Sequence, residues 1–484
     1  MSHAAVLLPA LVLLPLFAGV MAFLLPRVAS TIGVLASTAG LGLTLVLARQ
    51  VLMHGAIDQD VGNWPAPLGI ALRLDGLGAS MLLMTGIVAV AVSSYATVYF
   101  RDRAARGYWP LWLFLLTALH ALFLSRDLFN LYVTLELLGI AAVALTALEG
   151  GSEALSAAMR YLLASLVGSL AYLLGVAFTY HGAGSVDLTL VGAGFGASTG
   201  PAQTTALALM TVGLLLKGAL FPLHFWLPSA HGSAAAPVSA ALSALVVKGA
   251  FLILLRLWLD AFPVTAQSTF PVLAALGAAA VVWGSLQAIL QVRAKLLVAY
   301  STVAQLGYLF LALPLVRGNE SAWAAVVLLA FSHALAKAAM FLAVGNLQTF
   351  AGHDRIAELD RVVQRMPVTV AALGLAGVSI MGLPPSGGFN AKWLLLQSAT
   401  TQGHWAIAAV LLIGGLLAAI YMFKLVEQAF THGEDSGDPR RVHGLREWSP
   451  LALALLALIL GFTSMPLLEL VASGGALPAV GTPR

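Results

Sequence analysis

Residues 216–250 read LKGALFPLHFWLPSAHGSAAAPVSAALSALVVKGA, and two lysines, Lys217 and Lys248, stand inside this apolar run. Lys337, Lys392 and Lys424 sit in further apolar stretches, so five of the six lysines lie in sequence suited only to membrane helices. One carboxylate, Glu136, joins them. A charged side chain near the bilayer centre costs about 2.5–3.5 kcal/mol on insertion scales. A purely structural protein has no reason to carry that cost repeatedly, whereas a protein that moves charge across the membrane has. The expectation is a proton or cation pathway built from buried ionisable groups.

Composition supports the membrane reading. Only 9% of the 484 residues are charged, while 60% are hydrophobic; soluble domains carry roughly 25% charged residues. The pI near 9.4 reflects arginines in short loops, so nucleic acid is not an expected partner. The chain has no cysteine, which excludes disulfides, iron–sulfur ligation and thiol chemistry. Only His120 and His333 lie deep in apolar sequence, so no facing histidine pair for a haem is expected, nor any other cofactor. The first apolar stretch lacks the basic start of a secretory signal and is expected to be a membrane helix of the mature protein.

Apolar runs of about 20 residues give fourteen spans: 4–25, 30–52, 76–99, 108–125, 127–147, 156–180, 204–227, 235–258, 270–290, 294–316, 321–347, 367–398, 404–430 and 447–470. Loop arginines and lysines orient them. One side holds Arg27, Arg101, Arg103, Arg106, Arg293, Lys295, Arg355, Arg361, Arg365, Arg440, Arg441 and Arg446. The other holds only Arg49, Arg73, Arg126, Arg256, Arg317 and Arg484. Twelve against six places both termini on the non-cytoplasmic side of a cell inner (cytoplasmic) membrane.

Two spans are interrupted. The seventh contains LLLKGALFPLHFWLP (214–228), where Pro222 follows Lys217 by five residues. The twelfth contains IMGLPPSGGFNAKWLLL (380–396), where Pro384, Pro385, Gly387 and Gly388 precede Lys392. Proline removes a backbone donor, and in lipid the freed carbonyls must be met by protein or water. An interruption beside a lysine, recurring five spans later, suggests two inverted five-helix repeats. These are expected at 108–258 and 270–430, flanked by an N-terminal region 1–107 and a C-terminal loop and last helix, 431–484.

The candidate residues divide by environment. Glu136 lies about nine residues into the fifth span, roughly 14 Å deep at 1.5 Å per residue. It is either a proton carrier or the counter-ion of a lysine, rather than a neutral hydrogen-bonded acid. Lys217 and Lys248 lie mid-span; in low dielectric a lysine gives up its proton more readily, and a nearby carboxylate restores the charged form. Separating such a pair switches proton affinity, the alternative being a static ion pair. His333 and Lys337, four apart, share a helix face, which suits a relay because histidine titrates near neutral pH. Lys392 is the candidate last group before one aqueous side. Lys424, near a span end with Glu427 three residues on, fits snorkelling with a local ion pair and stays outside the pathway. His224 and His231 either line an opening or cap the break. The run DRIAELDRVVQRM (354–366) fits a surface helix or a partner contact. Catalytic residues, metal ligands and a phosphate loop are not discerned.

With these residues in place, the chain resembles the antiporter-like subunit family shared by Mrp-type cation/proton antiporters and the proton-pumping membrane subunits of respiratory complex I. The likeness covers about 70–430 and rests on SRDLFNLYVTLELL (125–138), the 216–250 stretch, AKLLVAYSTVAQLGY (294–308), FSHALAKAAMFL (331–342) and MGLPPSGGFNAKWLL (381–395), in family order. The resemblance implies an all-α polytopic fold of about fourteen transmembrane helices, with two inverted five-helix repeats and broken helices seven and twelve. It implies Glu136 and Lys217 as a coupled pair, Lys248 as the central lysine, His333 with Lys337 as the next link, and Lys392 as the exit group. Lysine rather than glutamate at the exit favours the D-type subunit of Mrp antiporters or the complex I subunits most like it. The expected function is an ion-translocating subunit of a multi-subunit monovalent cation/proton antiporter. The alternative is a proton-pumping membrane-arm subunit of a redox-driven complex, either complex I-like or a membrane-bound hydrogenase. Expected partners are other membrane subunits, the lipid bilayer, protons and either Na⁺ or K⁺; a lysine-rich route favours protons, since sodium coupling calls for oxygen ligands.

Overall fold

The computed structural model describes residues 3–195, 200–359, 362–430 and 442–473. Helices α1 (His3–Leu24) and α2 (Ala29–His54) lead into a two-stranded hairpin, β1 (Ile57–Asp60) and β2 (Ala71–Leu74), antiparallel with Asp58 opposite Arg73. Then come α3 (Gly76–Tyr99), α4 (Asp102–Leu124), α5 (Leu128–Thr146), α6 (Ser152–Ala183) and a short α7 (Leu188–Phe195). Helix α8 (Pro201–Lys217) is followed by a turn and a short α9 (Leu227–Ser233). Helices α10 (Ala236–Ala241) and α11 (Val247–Arg256) are joined through a π-helical turn, Leu242–Val246. Next are α12 (Phe270–Leu290), α13 (Ala294–Leu311), α14 (Leu313–Val316) and α15 (Glu320–Ala351). The chain continues through α16 (Val362–Arg365), α17 (Pro367–Met381), α18 (Gly387–Thr401), α19 (Trp405–Glu427), α20 (Gly444–Phe462) and α21 (Met465–Ala472).

Among the described residues, twelve helices are long and apolar enough to cross a membrane. The protein is an integral, multi-pass, all-α membrane protein. The two expected spans missing from that twelve are the two whose sequence is interrupted: the seventh is α8 followed by a turn that leads into α9, and the twelfth is the pair α17 and α18.

Burial separates inside from outside. The spans Ala236–Ala261 and Glu320–Ala351 are buried along their whole apolar windows and form the centre. Helices α1, α2, α12, α19 and α20 expose large apolar side chains such as Phe17, Leu35, Trp283, Leu416 and Phe462, the surface that lipid requires. Glycines bring backbones together where helices must approach closely. A Cβ on Gly168 of α6 would stand 2.7 Å from the carbonyl oxygen of Gly213 on α8, and one on Gly277 of α12 would stand 2.6 Å from that of Gly307 on α13.

Four local expectations need correction. The hairpin is absent from the sequence reading, because four-residue strands carry too little alternation to register; it is held by Arg126, whose guanidinium lies 2.8 Å from Asp58 and 2.9 Å from Asp187. The 354–366 run is not one surface helix: a 3₁₀ turn (Ile356–Glu358) and α16 flank residues 360–361, which lie outside the described residues, and Ile356, Leu359 and Val362 are buried. The last span is divided into α20 and α21. Finally, Lys295, Arg256 and Arg446 are not loop charges. All three are buried within helices, and Arg256 holds Asp75 through contacts of 2.5 and 2.6 Å.

Candidate functional site

The Asp127 carboxylate caps α5 by accepting from the Asn130 amide at 2.6 Å, which starts the helix and sets Glu136 as its ninth residue. Helix α8 stops at Lys217 because Ala219 adopts a left-handed φ of +53° and Pro222 has no amide to continue the ladder. The two residues meet: Lys217 Nζ lies 2.7 Å from Glu136 Oε1. Ser169 of α6 donates to the same carboxylate oxygen, and Lys217 also reaches the Leu135 carbonyl at 3.5 Å. Gly139 lets α5 and α6 approach beside the pair, since a Cβ there would stand 2.9 Å from the Ser165 hydroxyl. The carboxylate side chain is 19% exposed against 6% for the lysine. The pair therefore sits at the edge of the protein, with the acid on its outer side.

Lys248 lies deeper and is fully buried. A π-turn shifts amides to bond five residues back and moves carbonyls out of the α-helical register; here Lys248 Nζ donates to the Ser243 carbonyl at 2.6 Å. The Ser243 hydroxyl lies 2.9 Å from that of Thr302 on α13, and Thr302 donates to the Val298 carbonyl at 3.1 Å. The same carbonyl accepts from Lys337 of α15 at 3.0 Å, and Lys337 also donates to the Ser301 hydroxyl. Lys248, through the carbonyl of Ser243, and Lys337, through that of Val298, thus flank one Ser243–Thr302 hydroxyl pair. Beside each lysine a glycine faces apolar side chains of the neighbouring helix: Gly218 faces Ala250, and Gly249 faces Leu138 and Leu122.

His333 lies one turn from Lys337, within electrostatic reach of Lys248, Lys337 and Lys392. Neither of its ring nitrogens has a hydrogen-bond partner among the described residues. His231 shares that state: it is fully buried, packs edge-on against Phe341, and lies within reach of Lys248, Lys295 and Lys337. Sequence leaves His231 undecided between an opening and a cap; in space it faces the central lysines. The proline-rich segment before α10 gives no sign of that direction.

The second interruption builds the seat of Lys392. Helix α17 ends at Gly382 in a left-handed conformation, and the Gly382 and Leu383 amides turn back to Val378 and Ser379. The carbonyls of Ile380 and Met381 are left without backbone donors, and Lys392 Nζ meets them at 2.8 and 3.4 Å. The ammonium also stands 4.5 Å over the Tyr308 ring, and Gln305 shares the Ile380 carbonyl at 3.2 Å. Lys424 is different from expectation. Its ammonium caps the end of α12 through the carbonyls of Ile289 and Gln291, at 2.5 and 2.8 Å, instead of pairing with Glu427. That seat suits a cation at a helix C-terminus and keeps Lys424 out of the central line.

An open cavity of about 510 Å³ reaches toward His231 from the arginine-rich side. Its walls include Glu149, Glu153, Arg293, Lys295 and Gly232. Lys295, the sixth lysine, is buried and donates to the Ala234 carbonyl at 2.5 Å. Charge counting alone takes it for a loop residue.

The sequence matches a known family. Residues 125–420 match the transmembrane family described as NADH:quinone oxidoreductase/Mrp antiporter. The chain belongs to this family. It is similar to the NADH-quinone oxidoreductase subunit N of Desulforudis audaxviator, with 34% identity over 87% of this chain and 86% of that one. It is also similar to the D-type subunit of the Na(+)/H(+) antiporter of Alkalihalophilus pseudofirmus, with 28% identity over 96% and 95% of the two chains. Among solved structures, a chain of the Mrp complex from Dietzia sp. DQ12-45-1b superimposes with a TM-score of 0.92 over 98% of this chain and 97% of that one, at 24% identity. That likeness is one of fold. All five motifs quoted from the sequence fall within the matched family region.

Proposed function

We propose that this chain is the proton-conducting subunit of a multi-subunit monovalent cation/proton antiporter of the Mrp type. The route runs from Glu136 and Lys217 through Lys248 to His333 and Lys337, and leaves by Lys392. The observation that carries this is the seating of the lysines: Lys248, Lys337 and Lys392 hold to carbonyls and hydroxyls rather than to carboxylates. A lysine bound by an acceptor alone, in low dielectric, can release its proton; one locked in an ion pair cannot do so until the pair opens. Of the four, Lys217 is the one with such a partner, so the Glu136–Lys217 pair is the switching element. Its opening makes the first transfer the controlled one.

The fourteen crossings and the inverted repeats at 108–258 and 270–430 belong to the same proposal, supported by interruptions at both expected places. Both termini face away from the cytoplasm of a cell inner membrane. Removing the buried Lys295, Arg446 and Arg256 from the charge count leaves the bias of the two sides at two to one. Other membrane subunits of the complex are the partners. Relatives named for Na⁺/H⁺ and for K⁺/H⁺ exchange occur at similar identity, and the lysine-lined route assigns the proton half of the exchange to this chain.

The test is an everted-vesicle assay on membranes carrying the intact complex. Added Na⁺ or K⁺ should dissipate an imposed pH gradient, and should fail to do so when this subunit is deleted. Unchanged dissipation in the deletion would remove the proposal. The alternative, a membrane-arm subunit of a redox-driven complex, is favoured by the 34% identity to the oxidoreductase relative. Purification of the tagged complex separates the two: small antiporter subunits support the first reading, iron–sulfur and quinone-site subunits the second.

A further inference from the structure

At the arginine-rich ends of α1, α2, α3 and α4 lies an open cavity of about 650 Å³ that the proton route does not use. Arg27 comes from the α1–α2 turn, and Arg101 and Arg106 come from the start of α4; all three are exposed. Among the described residues none of the three is paired with a carboxylate. Asp102 is the single acid in the wall, so the cavity carries a net positive charge. Helices α2 and α4 both begin at this cavity, and neither has a side-chain cap, which adds the positive ends of two helix dipoles. Apart from Ser30 and Thr97, the remaining wall is apolar, with Leu24, Leu25, Phe100 and Trp109. Helices α1 and α2 run away from it as two of the least buried spans of the protein.

We propose that this cavity binds the headgroup phosphate of an anionic phospholipid, whose acyl chains lie along the exposed faces of α1 and α2. Charge complementarity selects the phosphate. The site's place at the boundary of the apolar surface selects a lipid over a free anion: Leu24, Leu25 and Val28 are 62%, 46% and 46% exposed right beside the arginines. A soluble phosphate would gain nothing from them. Basic pockets between membrane helices are the usual seats of anionic headgroups.

The test uses the full chain, relipidated from vesicles of phosphatidylglycerol or of phosphatidylcholine, with retained lipid counted by native mass spectrometry. The wild-type protein should keep phosphatidylglycerol and lose phosphatidylcholine. Each arginine changed to glutamine should weaken retention about fivefold, and the triple variant Arg27→Gln, Arg101→Gln, Arg106→Gln by about two orders of magnitude. The triple lysine variant should retain the lipid, and the single Arg106→Gln serves if the triple glutamine variant does not fold. Arg355→Gln, an exposed arginine elsewhere on the chain, should change nothing. The proposal is overturned if the glutamine variants retain phosphatidylglycerol like wild type, or if Arg355→Gln weakens it equally. Displacement of the lipid by excess inorganic phosphate would likewise overturn it, assigning the site to a free anion.

Discussion

Lys217 is the last residue of α8, and its ammonium lies 2.7 Å from the carboxylate of Glu136 on the unbroken helix α5. One partner is thus fixed to a continuous helix, while the other stands at the edge of an interruption. A small rotation of the α8 end would part them and leave Lys217 with only the Leu135 carbonyl, 3.5 Å away. The lysine would then give up its proton more readily, with no other change in the fold.

Substitution of either partner should therefore stop exchange. Glu136→Ala and Lys217→Ala are each expected to abolish cation-driven proton movement in everted vesicles at matched expression. Near-wild-type exchange in either variant would take the pair out of the route.

On the proposed route Lys392 cycles its proton, and its seat on freed carbonyls, without an ion-pair carboxylate among the described residues, supports that role. Arginine keeps its proton, with a pKa above about 12, so Lys392→Arg should impair turnover nearly as badly as Lys392→Ala. Lys392→Glu should keep part of the activity, because a carboxylate can also cycle. The measurement is gradient dissipation across a range of pH for the three variants. Wild-type turnover in the arginine variant would make Lys392 a fixed charge.

His231 is the residue that structure adds to the route. It is buried within reach of Lys295 and the central lysines, next in sequence to Gly232 of the 510 Å³ cavity wall, and we propose that it passes protons from that cavity inward. His231→Ala should slow flux by roughly a hundredfold, the low end for loss of a proton-transfer group, while His231→Asn with an unchanged thermal midpoint separates transfer from packing. Full flux in both variants would remove His231 from the route and leave the Glu136–Lys217 pair as the supply to Lys248.

Away from the route, burial disfavours the charge on Asp75, yet the Arg256 guanidinium outweighs it and holds the carboxyl below its ordinary value. A carboxyl whose folded pKa is depressed contributes stability above its ordinary value and loses it as pH falls through the folded one. Asp75→Asn should therefore cost about 3–5 kcal/mol near neutral pH, as expected when one partner of a buried pair is removed. The difference from wild type should shrink below the ordinary carboxylate range. Melting in detergent as a function of pH checks it; a pH-independent difference would mean the pair is not the cause.

Much of this was legible in the sequence because lipid makes it so. Apolar runs had to be helices, and Pro222 and Pro384–Gly388 had to break them; the breaks fall where expected. Charged residues in those runs had to be buried, and Lys217, Lys248, Lys337 and Lys392 are, while Glu136 is partly buried beside Lys217. Tertiary reach was not legible. Whether Lys424 turned to Glu427 or to the end of α12 depended on which helix packed beside it. Whether His231 faced solvent or Lys248 depended on how the chain leaves α9. The β1–β2 hairpin, pinned by Arg126 to residues at both ends of the sequence stretch 58–187, involves contacts too distant for periodicity to register.

The central claim is that protons cross this chain through its buried lysines, and Lys248 is the one through which every proposed path must run. The most direct measurement is proton flux into liposomes carrying the intact complex, followed with a trapped pH dye under an imposed potential. Lys248→Met keeps the length and apolar packing of the side chain while removing its proton. The account predicts flux no higher than in protein-free liposomes, with assembly and melting unchanged. Wild-type flux through the Lys248→Met complex would contradict it.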